Sequence, residues 1–132
     1  MKIKRITEAD FDTISQWWLD WGQPIPDPDY LPNESTGGYI ATKNNVPVAA
    51  GYLYFTNARI AYVDFVISNK EYREKDRNTI ITELIDYMVN HALSIGCKFV
   101  WATSQEEGII SKVKKLKYSV LKDKHSIIYK YA

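Results

Sequence analysis

The chain carries one cysteine, Cys97, so no disulfide can form within it. That usage fits a reducing interior. Long apolar runs are missing as well: charge interrupts each one, which excludes a membrane-spanning helix. The first residues lack the apolar core of a signal peptide, so a cytoplasmic location with no membrane partner is expected. Only two histidines are present, far apart and far from Cys97, and no metal-ligand spacing results. An excess of either charge is absent too. The formal net charge is +1, which gives no global field to select nucleic acid or an anionic membrane. No Walker, nucleophile-elbow or dinucleotide pattern occurs.

Aromatic residues are plentiful, with ten tyrosines, four tryptophans and four phenylalanines, enough to line a core or a cleft. Charge is distributed unevenly. Asp10, Asp12, Asp20, Asp27, Asp29 and Glu34 load the first third, whereas Lys112, Lys114, Lys115, Lys117, Lys122, Lys124 and Lys130 load the last. The default reading is two solvated faces of opposite sign.

Alternation from Lys2 to Ile6 predicts a half-exposed first strand. Thr7 with Asp10 resembles a capping box, and Phe11, Ile14, Trp18 and Trp21 recur at helical spacing, so a helix is expected over Glu8 to Asp20, ended by Gly22. Gln23 to Pro32 holds four of the five prolines and reads as an ordered loop, closed by Gly37-Gly38. Tyr39 to Lys43 and Val46 to Phe55 are strand candidates around Asn44-Asn45, residues that tolerate positive φ. Ile60 to Ser68 is the next strand. Ile80, Ile81, Leu84, Ile85, Met88, Val89 and Ala92 then predict a helix over Arg77 to Ser94, stopped by Gly96. A short strand is expected at Lys98 to Thr103, a weaker helix at Glu106 to Leu116, and a closing hairpin from Tyr118 to Leu121 and Ser126 to Tyr131 around Lys122-Asp123-Lys124.

The order β-α-β-β-β-α-β-α-β-β, with no linker or repeat, predicts a single α/β domain over residues 1–132. One mixed sheet of six or seven strands is expected, with a right-handed parallel crossover through Arg77 to Ser94.

That order, with IKRITEADFD at the start and SNKEYREKDR after the fourth strand, resembles the GCN5-related N-acetyltransferase (GNAT) superfamily over nearly the whole chain. WWLDWG, the proline loop, GGYI and AAGYLYFTN look closest to small GNAT-like proteins of phages and prophages. The resemblance implies a GNAT-like sheet with helices on both faces. It implies acetyl-CoA as cofactor and transfer of its acetyl group to a small-molecule or protein amine.

Residue by residue, the resemblance implies that Phe65, Val66, Ile67, Arg73, Lys75, Arg77 and Asn78 bind the cofactor. The family's pyrophosphate loop uses glycines so that backbone N–H groups can approach the anion. Registered on Tyr72-Arg73, this chain places Glu74, Asp76 and Asn78 there instead. Arg73, Lys75 and Arg77 would then have to compensate with side-chain contacts. The alternative is that this stretch only caps a helix, whose N-terminus favours acidic residues.

Asp64, in the middle of an apolar strand, falls where the family carries its general base, and burial is expected to raise its pKa. The competing reading pairs it with Arg59 or a tyrosine. The family's leaving-group tyrosine falls on Val113, which cannot donate a proton, while Tyr118 takes a packing position. Trp21, Asp27, Asp29 and Tyr30 would border the acceptor cleft and draw a cationic amine. His91 reads as an ordinary helix histidine and His125 as an exposed turn residue. Two classes follow: an acetyltransferase, or a GNAT-fold binding or interaction module that has lost efficient CoA chemistry. Edge strands in the closing hairpin could pair two copies into a homodimer.

Overall fold

A computed structural model describes residues 1–104, 106–122 and 126–131. Its elements are β1 (Lys2–Arg5), α1 (Glu8–Asp20), a 3₁₀ turn (Pro28–Tyr30), β2 (Gly38–Lys43), β3 (Val46–Phe55), β4 (Ile60–Ser68), α2 (Arg77–Ser94), β5 (Phe99–Ala102) and α3 (Glu107–Lys115). The strands form one sheet in the order β1-β2-β3-β4-β5. All neighbours pair antiparallel except β4 and β5, which run parallel because α2 returns the chain to the same end.

Local chemistry explains the elements. Thr7 caps α1: its hydroxyl accepts from the Asp10 N–H, and the Asp10 carboxylate accepts from the Thr7 N–H, completing a capping box. Asn44 and Asn45 both take positive φ, 51° and 64°, as the tight turn between β2 and β3 requires. Gly38 is there for space, since a Cβ would stand 2.2 Å from the Gly51 carbonyl oxygen on the paired strand.

Two cores sit on opposite faces of the sheet. On one, the apolar stripe of α2 packs on alternate residues of β2 to β4, among them Ala41, Leu53, Ala61 and Val63. Leu84 and Met88 are fully buried there, and truncating either to Ala would cost about 2–5 kcal/mol. On the other, Ile14 and Trp17 of α1 cover Ile40, Ala50, Tyr52 and Ile67. Trp17 is therefore a core residue, whereas Trp18 only packs against the edge of that cluster.

The proline loop is built as expected for an ordered segment. Asp27 caps the Pro28–Tyr30 turn, Leu31 is buried, and the Tyr52 hydroxyl donates to the Ser35 carbonyl from inside the core.

The closing hairpin departs from expectation. The described parts of Tyr118–Leu121 and Ser126–Tyr131 contain no strand, so the sheet has five strands and not six or seven. Tyr118 explains the first half. Its N–H is used in ending α3 on the Val113 carbonyl, after Lys117 turns the chain at φ 67°. Its hydroxyl donates to Asp86 of α2 at 2.8 Å, fastening the segment to a helix instead of the sheet. Asp123, Lys124 and His125 lie outside the described residues. No helix among the described residues is long and apolar enough to cross a membrane.

Candidate active site

β4 and β5 pair only from Ile60–Phe99 to Val63–Ala102. β5 then ends, and the chain turns through Thr103 and Ser104 towards α3. β4 continues to Ser68, held on its far side by β3 through Tyr52–Asp64, Ala50–Ile67 and Ala49–Ser68. The near edge of β4 from Asp64 to Ser68 thus has no strand partner among the described residues. A cavity of about 520 Å³ opens in that gap, a size usual for ligand sites. Its walls include Ile81, Ile85 and Ile109 from one core and Trp18 and Phe65 from the other. The cleft therefore joins the two faces of the sheet at the carboxyl end of its parallel strands, where open α/β sheets bind ligands.

The bend that shapes the cleft is a β-bulge. Three residue steps on β4, from Asp64 to Ile67, oppose two on β3, and Phe65 takes φ 50°. Positive φ costs a non-glycine residue about 1–2 kcal/mol, and bulges often re-aim a side chain beside a functional site. Here the extra residue keeps Phe65 on the α1 face beside Asp64, with Val66 returning to the α2 core.

Asp64 lines the cavity, but it is exposed and not buried as its apolar neighbours had suggested. The burial expected at this position is absent. It forms no hydrogen bond to Arg59 or to a tyrosine. Its Oδ1 accepts from the Phe65 N–H at 2.7 Å, a contact of the bulge itself. Its charge still reaches the neighbouring Tyr54, whose hydroxyl is pushed well above the ordinary tyrosine range, by burial first and then by Asp64.

The expected cofactor residues divide. Phe65, Val66, Ile67, Arg77 and Asn78 all line the cavity. Arg73 and Lys75 do not, and stand exposed on the loop before α2. Asp76, at the N-terminus of α2, is not a bare anion. Lys43 pairs with it and the Tyr72 hydroxyl donates to its Oδ1 at 2.6 Å. The Lys43 hydrogen bond, then that of Tyr72, holds the Asp76 carboxyl below its usual range. Asp76 raises the Lys43 ammonium in return.

The acceptor-side residues divide too. Trp21 lines the cavity and bridges its mouth: the indole N–H donates to the Ser68 carbonyl at 2.8 Å. The Lys70 ammonium and the Arg77 guanidinium lie 5.1 and 5.5 Å from the Trp21 ring. Asp27, Asp29 and Tyr30 do not line the cavity. Their loop is tied to the same face of the sheet by the Tyr54 hydroxyl, which donates to the Tyr30 carbonyl at 2.7 Å. Val113 packs with the α2 core, and the Tyr118 hydroxyl is fixed on Asp86.

Sequence reasoning missed Thr103, Ser104 and Glu106 in the cavity wall. Their signal is a polar turn following a parallel strand, at the sheet end where such sites form. Among the described residues, no group of three or more histidine, cysteine, aspartate or glutamate side chains could hold a metal ion.

No protein-family model and no curated protein matches the chain. Solved structures do. An aminoglycoside acetyltransferase from an uncultured soil metagenomic sample, in complex with sisomicin, aligns at TM-score 0.67 with 16% identity, over 99% of this chain and 96% of that one. A Trypanosoma brucei acetyltransferase aligns at 0.62 with 14% identity, covering 97% and 99%. The aminoglycoside N-acetyltransferase AAC(6')-Iy in complex with CoA aligns at 0.60 with 11% identity, covering 99% of each chain. The chain therefore has the α/β fold of the GNAT acetyltransferases, with a mixed five-stranded sheet and three α-helices among the described residues.

Proposed function

We propose that this chain is a cytoplasmic N-acetyltransferase that moves the acetyl group of acetyl-CoA to an amine. The observation that carries the reading is the parting of β4 and β5 beyond Val63–Ala102 around a cleft that Arg77 helps to line. The group fits what is there. The unpartnered edge of β4 offers N–H and C=O groups for an amide-bearing chain, Ile81, Ile85 and Ile109 offer apolar walls, and Arg77 at the mouth suits a phosphate. Because Lys43 and Tyr72 already occupy Asp76, the repulsion expected at the helix N-terminus is much reduced. Acetyl-CoA supplies an activated thioester.

In this reading the protein orients the amine and receives its proton. Asp64 has one carboxylate oxygen on the Phe65 N–H, which leaves the other to accept that proton directly or through water. Its exposure lets water reach the carboxylate and link it to the amine. Val113 and Tyr118 supply no acid, so solvent in the open cleft protonates the leaving thiolate. Calorimetric titration with acetyl-CoA tests the reading. Saturable binding supports it, and no binding at millimolar ligand overturns it.

A second reading has its own observation. Glu74 and Asp76 stand where phosphate-binding glycines would lie, and Arg73 and Lys75 do not reach the cavity. That arrangement favours a GNAT-fold binding module without CoA chemistry, and the same titration separates the two.

A further inference from the structure

Beside the cleft, on the α1 face, lies a row of aromatic rings: Tyr54 packs against the α1 core, while Tyr62 and Trp101 belong to neither core. Tyr54 of β3 stacks on Tyr62 of β4 with centroids 4.6 Å apart and planes 5° from parallel. Tyr62 in turn stacks on Trp101 of β5 at 5.1 Å and 23°. Those separations are close to the spacing of neighbouring strands, so the ring faces look along the sheet and their edges look out of it. From α1, Trp18 meets Phe65 edge-on at 6.2 Å, and the proline loop holds the Tyr54 hydroxyl. At the other end of the row Tyr62 is half-buried and Trp101 is 44% exposed.

Asp64 shares this face. It follows Tyr62 by two residues, about 6.6 Å at about 3.3 Å per residue, and its second oxygen has no hydrogen-bond partner among the described residues. In the adjoining loop Asp27 caps the Pro28–Tyr30 turn by accepting from the Asp29 N–H at 2.9 Å, and neither Asp27 nor Asp29 lines the cavity. Asp64 thus puts a carboxylate next to a band of outward ring edges, and Glu106 adds a second one to the cavity wall.

The geometry points to an aromatic monoamine as the acceptor: a flat ring lying on the edges of Tyr62 and Trp101, joined by a short tether to an ammonium at Asp64. Ring edges carry partial positive charge and ring faces partial negative charge, so a face laid on these edges makes the favoured T-shaped contact. A two- or three-carbon tether spans the step from Tyr62 to Asp64. A polycation suits this floor poorly, because the outward ring edges carry partial positive charge and repel any ammonium laid over them. This assignment rests on the acetyltransferase reading, whose cofactor side is tested separately by acetyl-CoA titration.

The test is calorimetric titration of the full chain, without nucleotide, with tyramine, 4-ethylphenol and spermidine. Tyramine is expected to bind about tenfold or more tightly than either of the others. Trp101→Leu and Tyr62→Leu should each weaken tyramine by about three- to tenfold, the worth of an aromatic pair. Asp64→Asn should weaken tyramine and leave 4-ethylphenol unchanged, with circular dichroism verifying that each variant is folded. Spermidine binding as tightly as tyramine, or tyramine binding that ignores both ring substitutions, overturns the assignment. Acetyl-CoA binding together with either of those results refutes the aromatic acceptor alone and leaves the transferase standing. Ring-dependent tyramine binding without acetyl-CoA binding supports the floor and refutes the transferase.

Discussion

Trp21 fastens the end of α1 to the end of β4, and its contribution can be taken apart by two substitutions. Trp21→Phe keeps a ring but deletes the indole N–H that reaches the Ser68 carbonyl at 2.8 Å. A net hydrogen bond contributes about 0.5–1.5 kcal/mol, and the residue's 38% exposure puts the expected loss in the lower half of that range. Trp21→Ala also removes the surface under Lys70 and Arg77, two cation–π contacts of about 0.5–1 kcal/mol each at exposed sites. The alanine variant should therefore lose about 1.5–3 kcal/mol in all. For a chain of this length, one kcal/mol moves Tm by about 3–6 °C. Urea unfolding and thermal melts followed by circular dichroism measure both losses. If phenylalanine costs as much as alanine, the cation–π contacts contribute nothing. If neither variant changes stability, Trp21 does not bridge the mouth of the cleft.

Three further outcomes follow from the site. Asp64→Asn should leave melting temperature and acetyl-CoA affinity nearly unchanged while lowering turnover about 10²–10⁴-fold, the usual worth of a general base; unchanged turnover in the folded variant removes that role. Arg77→Ala should weaken acetyl-CoA by about 1.5–3 kcal/mol, the value of a hydrogen bond to a charged group, and wild-type affinity should fall with added salt; affinity indifferent to both contradicts a phosphate contact. Asp76 has a folded-state pKa held down by Lys43 and Tyr72, so its stabilisation is present above the unfolded-state value and lost as pH falls through the folded one. The Tm gap between wild type and Asp76→Asn should hold down to about pH 4 and close below it; a gap independent of pH rules out the ion pair as its source.

Much of this architecture is legible in local pattern. The capping box at Thr7, the paired asparagines between β2 and β3, and the seven apolar residues of α2 each act over a few residues. The β-bulge does not. Phe65 takes positive φ because β4 and β3 differ by one residue between their paired positions, a mismatch spread over two strands. Asp64 shows the same limit from the other side. Its flanking Val63 and Phe65 suggested burial, but Val63 faces the α2 core while Asp64 faces out with Tyr62, as period-two alternation requires. The loop before α2 was legible as a departure from glycine chemistry, yet nothing in its sequence points to Lys43, 33 positions away, as the partner of Asp76. The strand expected over Tyr118 to Leu121 does not form. Tyr118 instead spends its N–H on the end of α3 and its hydroxyl on Asp86.

The central claim is that acetyl-CoA binds between the parted ends of β4 and β5. Backbone amide chemical shifts, followed by nuclear magnetic resonance during titration with acetyl-CoA, test it residue by residue. The account predicts saturable shifts concentrated at Phe65 to Ser68, Arg77, Asn78, Thr103 and Ser104, with the β1–β2 edge unmoved. Shifts confined to residues outside the cleft, or none at millimolar ligand, would contradict it.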